Sequence, residues 1–438
     1  MKRFVKSIFW LAILICSALF SGCEMDTVNP NNPTDAEVLS TQEGIVALSI
    51  GVRQFYATSG IEALYLYQGV TGRETKGIAT FTNVLELGAG GSAIPNNNSS
   101  ILNLWLRMQR IMSMSEDIVE YAPQISGIDP ALLSGIVAHA KLFKAMALGG
   151  LATAFEQANL ATSTTENVTF VPRQQVLEEA VRLLDEAISS VAATPPSGAF
   201  TTLVAGSSFD LQNVLYAYSA RYNLMAGNYQ AALDRANQVN LSGRSEFEYN
   251  TQSINPIWDY LVTQNYYKPR AGFGLPAGLF YEDDQRLSFY MGGEDVVVDG
   301  DVIKSINGFF TEQMSSIPVF LPDEMKLIKA EAILRNNGEI TEALALINEV
   351  RTQTSGDVFG VYAGLPPYSG DITQEALLLE VYRQRCAELY LTGQKVEDSR
   401  RFGRPGPPTS TEERNRNFYP YPDQERLNNP NTPADPEI

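Results

Sequence analysis

The stretch Glu324 to Arg351, "EMKLIKAEAILRNNGEITEALALINEVR", decides how this chain folds. Apolar residues recur at three- and four-residue spacing on both sides of Asn336-Asn337-Gly338, the pattern of two amphipathic helices joined by a tight turn. A second stretch, "LYAYSARYNLMAGNYQAALDRANQV" at 215–239, repeats it. Aligned on Gly227 and Gly338, Tyr229 matches Ile340, Ala232 matches Ala343, Ala236 matches Ile347 and Val239 matches Val350. Glycine ends the first helix because it enters the left-handed region at no steric cost, and a small alanine lets the two helices cross closely. This is the logic of a tetratricopeptide-type helix–turn–helix repeat. The two copies lie far apart, so the array reads as interrupted.

Most of the remaining sequence has the same period. Asn103 to Tyr121 places Leu104, Met108, Ile111, Met112, Ile118 and Val119 on one face; Arg173 to Val191 does so with Val176, Leu177, Ala180, Leu183, Leu184, Ala187 and Ile188. Gly135 to Phe155 is rich in small residues and suits close helix packing. Further helical patterns fall at 211–225, 229–239, 323–335, 340–353 and 374–391. Strand signals are short and few, such as "DVVVDGDVI" at 295–303. The expected fold is all-α: an α-superhelix of tetratricopeptide-like hairpins, broken by loop-rich insertions with few short strands.

Two irregular regions stand out. The first, about 240–321, holds 11 aromatics between Phe247 and Tyr290, against 10% for the whole chain. The second, 67–100, is rich in Gly, Asn and Thr. Loops set on a rigid scaffold are where binding residues concentrate. Ligand sites combine aromatic faces with a few polar groups. The ligand-binding candidates are therefore Tyr266, Tyr267, Arg270 and Tyr281 from the first region, and Arg73, Phe81 and Asn83 from the second. Tyr266 and Tyr267 are consecutive, so on extended backbone one faces out. Trp258, between Ile257 and Asp259, is expected in the core.

Composition narrows the function. The chain has 438 residues, 44% of them hydrophobic, and a formal net charge of −18, which repels nucleic-acid phosphates. The one histidine, His139, has no partner pattern for metal or nucleophilic chemistry. No phosphate-binding Gly-rich loop and no metal-spaced cysteines occur, so no cofactor and no metal is expected. Cys386 in its helix reads as a small core residue.

At the N-terminus, Lys2, Arg3 and Lys6 precede an uncharged run from Ser7 to Phe20, too short to span a membrane but suited to a secretory leader. Ser21-Gly22-Cys23 resembles a bacterial lipobox, with Phe20 where leucine is usual. Cys23 is then the lipidated first residue of the mature chain. The acidic, Asn- and Pro-rich segment behind it reads as a flexible tether. The domain reading is a leader at 1–22, a tether at 23–35 and a helical domain at 36–438.

In order along the chain, these features resemble the SusD/RagB family. Glu324 to Arg351 has the family's Glu-Met-x-Leu-Ile-x-Ala-Glu-Ala helix and its Ile-Asn-x-Val-Arg ending. In "RQRCAELYLTGQKVEDSRRFG" at 383–403, Arg385, Glu388, Leu389, Gly393, Asp398 and Arg401 fall on pattern, while Thr392 and Lys395 depart from it. "FYPYPDQERLNNPN" at 418–431 and "YEDDQRLSFY" at 281–290 are weaker matches, the latter with Gln285 in place of proline. Arg385 with Glu388, and Asp398 with Arg401, stand three apart on helices, where they can bridge helix ends as scaffold. The resemblance implies a surface lipoprotein anchored in outer-membrane lipid through Cys23. It would bind a glycan or oligopeptide nutrient and deliver it to a SusC-like TonB-dependent transporter, without catalysis. The alternatives are a repeat scaffold with only protein partners and a carbohydrate-active hydrolase, since a glycosidase needs only two carboxylates.

Overall fold

The main helices of the chain, in a computed structural model describing residues 35–163 and 167–438, follow the expected periods, apart from the first, at 42–55, which sequence reading did not name. They are α1 (Gln42–Phe55), α2 (Ser99–Tyr121), α3 (Pro130–Ala154), α4 (Arg173–Ala193), α5 (Leu211–Met225), α6 (Tyr229–Ala236), α7 (Pro322–Arg335), α8 (Ile340–Arg351), α9 (Gln374–Glu388) and α10 (Lys395–Arg401). The expected leader, Cys23 and the tether up to residue 34 lie outside the described residues. The body that follows runs as one unit from Leu39 to Ile438.

Capping residues fix where several helices begin. Asn98 accepts from the Ser100 and Ile101 N–H groups, Asp129 from Leu132, Asp210 from Asn213 and Thr373 from Ala376. Successive helices then become spatial neighbours: α2 packs on α3, α3 on α4, α4 on α5, α5 on α6, α7 on α8 and α8 on α9. Helix α3 is long and apolar enough to cross a membrane by length and composition, but 72% of that apolar window is buried in protein. Its many small residues explain the closeness of its neighbours. Tyr222 of α5 lies so near that a Cβ at Gly149 would meet its ring at 2.2 Å.

The two repeated hairpins correct the sequence reading in two respects. First, the array is interrupted in sequence but continuous in space, because α6 packs directly on α7. The excursion between them is closed at its base, where Glu246-Phe247 pairs antiparallel with Ile317-Pro318. Second, the left-handed residue is Gly227 in one copy (φ 82°) but Asn337, not Gly338, in the other (φ 53°). The N–H groups of Asn228 and Gly338 close the same bond, to Asn223 and Ile333, each at 2.8 Å. The second turn is thus one residue longer, and only the second helices share the Gly-aligned register. Ala232, Ala236, Ala343, Ile347 and Val350 are all buried there.

Strands are few, and two pairs of them matter for function. β1 (Thr75–Gly77) pairs antiparallel with β2 (Tyr267–Pro269), and β3 (Met291–Val298) with β4 (Asp301–Ile306). The β3/β4 hairpin turns on Asp299 (φ 47°) and Gly300 (φ 84°), the left-handed pair that a tight two-residue connection needs.

A buried ion network ties the last helices together. Arg385 donates to both oxygens of Asp398 at 2.8 and 3.0 Å, and Arg401 to Asp398 at 2.7 Å and to both oxygens of Glu331 at 2.8 and 3.0 Å. Burial works against these carboxylates, yet Arg385 and Arg401 hold Asp398 below its usual range, and Arg401 does the same for Glu331. The pair expected between Arg385 and Glu388 is not made. Glu388 instead meets Arg286 at 3.1 Å, which also grips Asp284, because the segment 284–290 packs against α9.

Candidate functional site

The two irregular regions that sequence reading picked out separately are joined in space by the β1/β2 ribbon. Thr75 stands opposite Pro269, Lys76 opposite Lys268 and Gly77 opposite Tyr267. Beyond the ribbon, the N–H groups of Ile78 and Ala79 both donate to the Tyr266 carbonyl, at 2.8 and 3.2 Å. This brings Phe81 onto Tyr266, edge to face, with ring centroids 5.0 Å apart; Tyr260 also meets Tyr266, at 5.5 Å. Phe81 is 52% exposed, and the other two rings are half-buried.

Local structure sets these positions. Asn255 caps a short helix, Pro256–Trp258, by accepting from the Ile257 and Trp258 N–H groups, and its amide donates to the Phe309 and Ser315 carbonyls. A wide π turn over Asp259–Thr263 follows and places Tyr260. Asn265, in the left-handed region at φ 56°, then reverses the chain into β2. On the other side, Asn83 donates to Ser100 Oγ at 2.9 Å, and its carbonyl accepts from Asn98 at 3.1 Å. This fixes the helix Thr82–Ala89 that carries Phe81 at its start. Burial, and Glu62 beside it, raise the Tyr260 hydroxyl to about 12. Glu62 itself is paired with Arg107 at 2.9 Å.

Charged groups crowd the same ribbon. The turn of the β3/β4 hairpin brings Asp301 to Lys76 at 2.9 Å, to Arg73 at 3.7 Å and into contact with Arg270; Asp299 meets Lys76 at 3.2 Å. Burial, with Arg73 close by, lowers Arg270 to about 9, and burial alone lowers Lys268 and Arg73.

Of the seven candidates, Phe81 and Tyr266 meet; Asn83, two residues beyond Phe81, turns its amide to Ser100, and Arg73 lies just before the ribbon beside Asp301. Three depart from expectation. Tyr267 is 1% exposed, because strand alternation sends it into the core beneath Tyr266. Arg270 is buried, held by Asp301 and by the Thr75 carbonyl at 3.3 Å. Tyr281 lies elsewhere, donating to Glu380 of α9 at 2.7 Å with the Arg351 guanidinium 4.5 Å over its ring. Trp258, expected in the core, is only half-buried. Sequence reading missed Tyr260, Lys76 and Asp301 as members. Lys76 lay between two named candidates, and the Asp-Gly turn was legible, but nothing local says where a turn docks.

Other titratable groups sit in the scaffold. His139 of α3 is enclosed by Phe143, Phe200 and Phe209; burial lowers it to about 3, so it stays a neutral core imidazole. Cys386 is buried, and burial raises its thiol to about 12. Among the described residues, no group of three or more His, Cys, Asp or Glu side chains is arranged to hold a metal ion.

Comparison with known proteins matches the C-terminal part of the chain to a family model and the whole to a fold. Residues 319–435 match the model of the SusD family. No curated protein matches the sequence. Among solved structures, a SusD homolog from Bacteroides thetaiotaomicron is 12% identical with a TM-score of 0.71, covering 93% of this chain and 100% of its own. A SusD-like carbohydrate-binding protein from Bacteroides vulgatus is 15% identical with a TM-score of 0.68, covering 89% and 97%. A SusD-like carbohydrate-binding protein from Bacteroides fragilis is 13% identical with a TM-score of 0.67, covering 90% and 99%. The matched segment carries the buried ion network of α7, α9 and α10, and the rest of the chain shares the fold of these solved structures.

Proposed function

We propose that this protein is a glycan-binding lipoprotein of the outer membrane. In this reading it is anchored through Cys23, exposed at the cell surface, and passes its ligand to a SusC-like TonB-dependent transporter. The observation that carries the binding step is the half-exposed Phe81–Tyr266 pair, built from two loop regions about 185 residues apart in the chain. Its exposed ring suits the apolar face of a sugar, and amide and charged groups beside it suit hydroxyls. Two of the solved relatives are named as carbohydrate-binding proteins, which supports the ligand class. The anchor and the transporter rest on the lipobox-like sequence and on the family resemblance. The protein acts as a binder and carries out no chemistry on its ligand.

The test is calorimetry with the glycan that binds best in a broad panel. Phe81→Ala with Tyr266→Ala should weaken binding by about tenfold or more, roughly 1.4 kcal/mol, with helical content unchanged. Tyr267 is left intact because truncating it would hollow the core. Undiminished affinity in the folded double variant would place the site elsewhere, and binding only to oligopeptides would replace the glycan reading. For the anchor, Cys23→Ala should abolish incorporation of labelled palmitate.

A further inference from the structure

We propose that the sugar held at this site is acidic, with its carboxylate or sulfate group bound by the cationic face of the β1/β2 ribbon; this rests on the glycan-binding reading above.

Strand alternation puts Tyr266, Lys268 and Arg270 on one face and Tyr267 and Pro269 on the other. Lys76 stands directly opposite Lys268, a like-charge cross-strand pair that destabilises a ribbon. Arg73 adds a fourth cation. Against these four the hairpin turn supplies two carboxylates, and Asp301 alone is shared by Arg73, Lys76 and Arg270. The other, Asp299, is 83% exposed at its side chain and reaches only Lys76. Positive charge is thus in excess here, in a chain whose net charge is −18.

Arg73 gives an independent reason. It sits in the left-handed region at φ 65°, which costs a residue of its type about 1–2 kcal/mol. The backbone is held there by close packing, since a Cβ on Gly274 would come within 1.8 Å of the Arg73 carbonyl oxygen. Glycine or asparagine would fit that backbone at lower cost. Yet the guanidinium makes no hydrogen bond among the described residues, and its one ion contact, to Asp301, is 3.7 Å long. Its side chain is 22% exposed. Arginine at a strained position, with its donors unused, is suited to a ligand anion. The spacing also fits. Two residues of strand separate Tyr266 from Lys268, about 6.6 Å, the scale of one sugar ring. A sugar stacked on Phe81 and Tyr266 therefore lies within reach of Lys268, whose ammonium has one long bond of its own, to the Leu261 carbonyl at 3.3 Å, and two donors to spare, and its neighbour within reach of Arg73.

The experiment measures binding of the full chain to polysaccharides bearing uronate groups and others bearing sulfate esters, each beside its carboxyl-reduced or desulfated form. The acidic member should bind at least about tenfold more tightly than its neutral counterpart. Raising the salt should erase most of that preference. Lys268→Gln and Arg73→Gln should each reduce it, while Arg182→Gln, on the exposed face of α4, should not. Preference within the uronate pairs or within the sulfate pairs identifies the anion. If neutral forms bind as well as acidic ones, and Phe81→Ala with Tyr266→Ala still weakens binding by about tenfold or more, the acidic inference fails and the glycan site stands. If no member of any pair binds, both fail.

Discussion

Two regions of this protein gather arginines and carboxylates, and they treat them differently. Where α7, α9 and α10 meet, Arg385, Arg401, Glu331 and Asp398 interlock with matched charges and short bonds, nearly all out of solvent. On the β1/β2 ribbon, Arg73, Lys76 and the buried Arg270 share Asp299 and Asp301, and Lys268 beside them pairs with neither carboxylate. The first arrangement pairs its charges out of solvent, although one nitrogen each of Arg385 and Arg401 makes no hydrogen bond among the described residues, and it serves as scaffold. The second leaves donors over, and leftover donors beside an exposed aromatic pair are what a ligand requires.

The strongest way to break this contrast is to remove a carboxylate from the matched region. Asp398→Asn leaves Arg385 and Arg401 buried without their shared anion and should cost about 3–5 kcal/mol, read as a lower urea midpoint. An unchanged midpoint would mean the network does not hold the helices. The pH dependence has a definite sign. Asp398 is held below its unfolded value, so its contribution is present above the unfolded pKa and is lost as pH falls through the folded one.

His139 sharpens the contrast as a buried polar group with no hydrogen-bond partner among the described residues. Both ring nitrogens lack a hydrogen bond. Its folded value, about 3, lies below the usual one, so on acidification the unfolded state takes a proton that the native state refuses. The wild type should therefore lose about 2 kcal/mol relative to His139→Leu between about pH 7 and pH 5. Parallel stability curves for the two proteins over that range would show that the imidazole reaches a partner.

Asp301→Asn performs on the ribbon what Asp398→Asn does in the stack. Asp301 is partly solvated, so the cost should be smaller, about 1–2 kcal/mol by chemical denaturation. A loss as large as that of Asp398→Asn would erase the difference between the regions.

The smallest effect tests the two hairpins, which differ in how their turns are made. A Cβ at Gly227 would meet nothing within 4 Å, so Gly227→Ala isolates the backbone cost, about 1 kcal/mol. Asn337→Gly should gain roughly a few tenths of a kcal/mol. Equal and negligible thermal shifts in both would mean that neither turn depends on the left-handed residue.

The sequence by itself determined the helices. Periods of three and four residues, capping side chains and Gly- or Asn-containing turns act over a few residues, and α4, α5 and α7 end within two residues of where their patterns do. The same local logic marked 67–100 and 247–290 as the stretches that are not helical scaffold, and marked 295–303 as a strand signal. Only the tertiary structure decided what those stretches do together. It chose which of Tyr266 and Tyr267 is buried, carried Tyr281 to a different helix face, and set Asp301 against Lys76 across 225 residues of chain. Strand pairing supplies the reason: a one-residue change of register exchanges the faces of every side chain, and the register between β1 and β2 is fixed by packing contacts that no local pattern records.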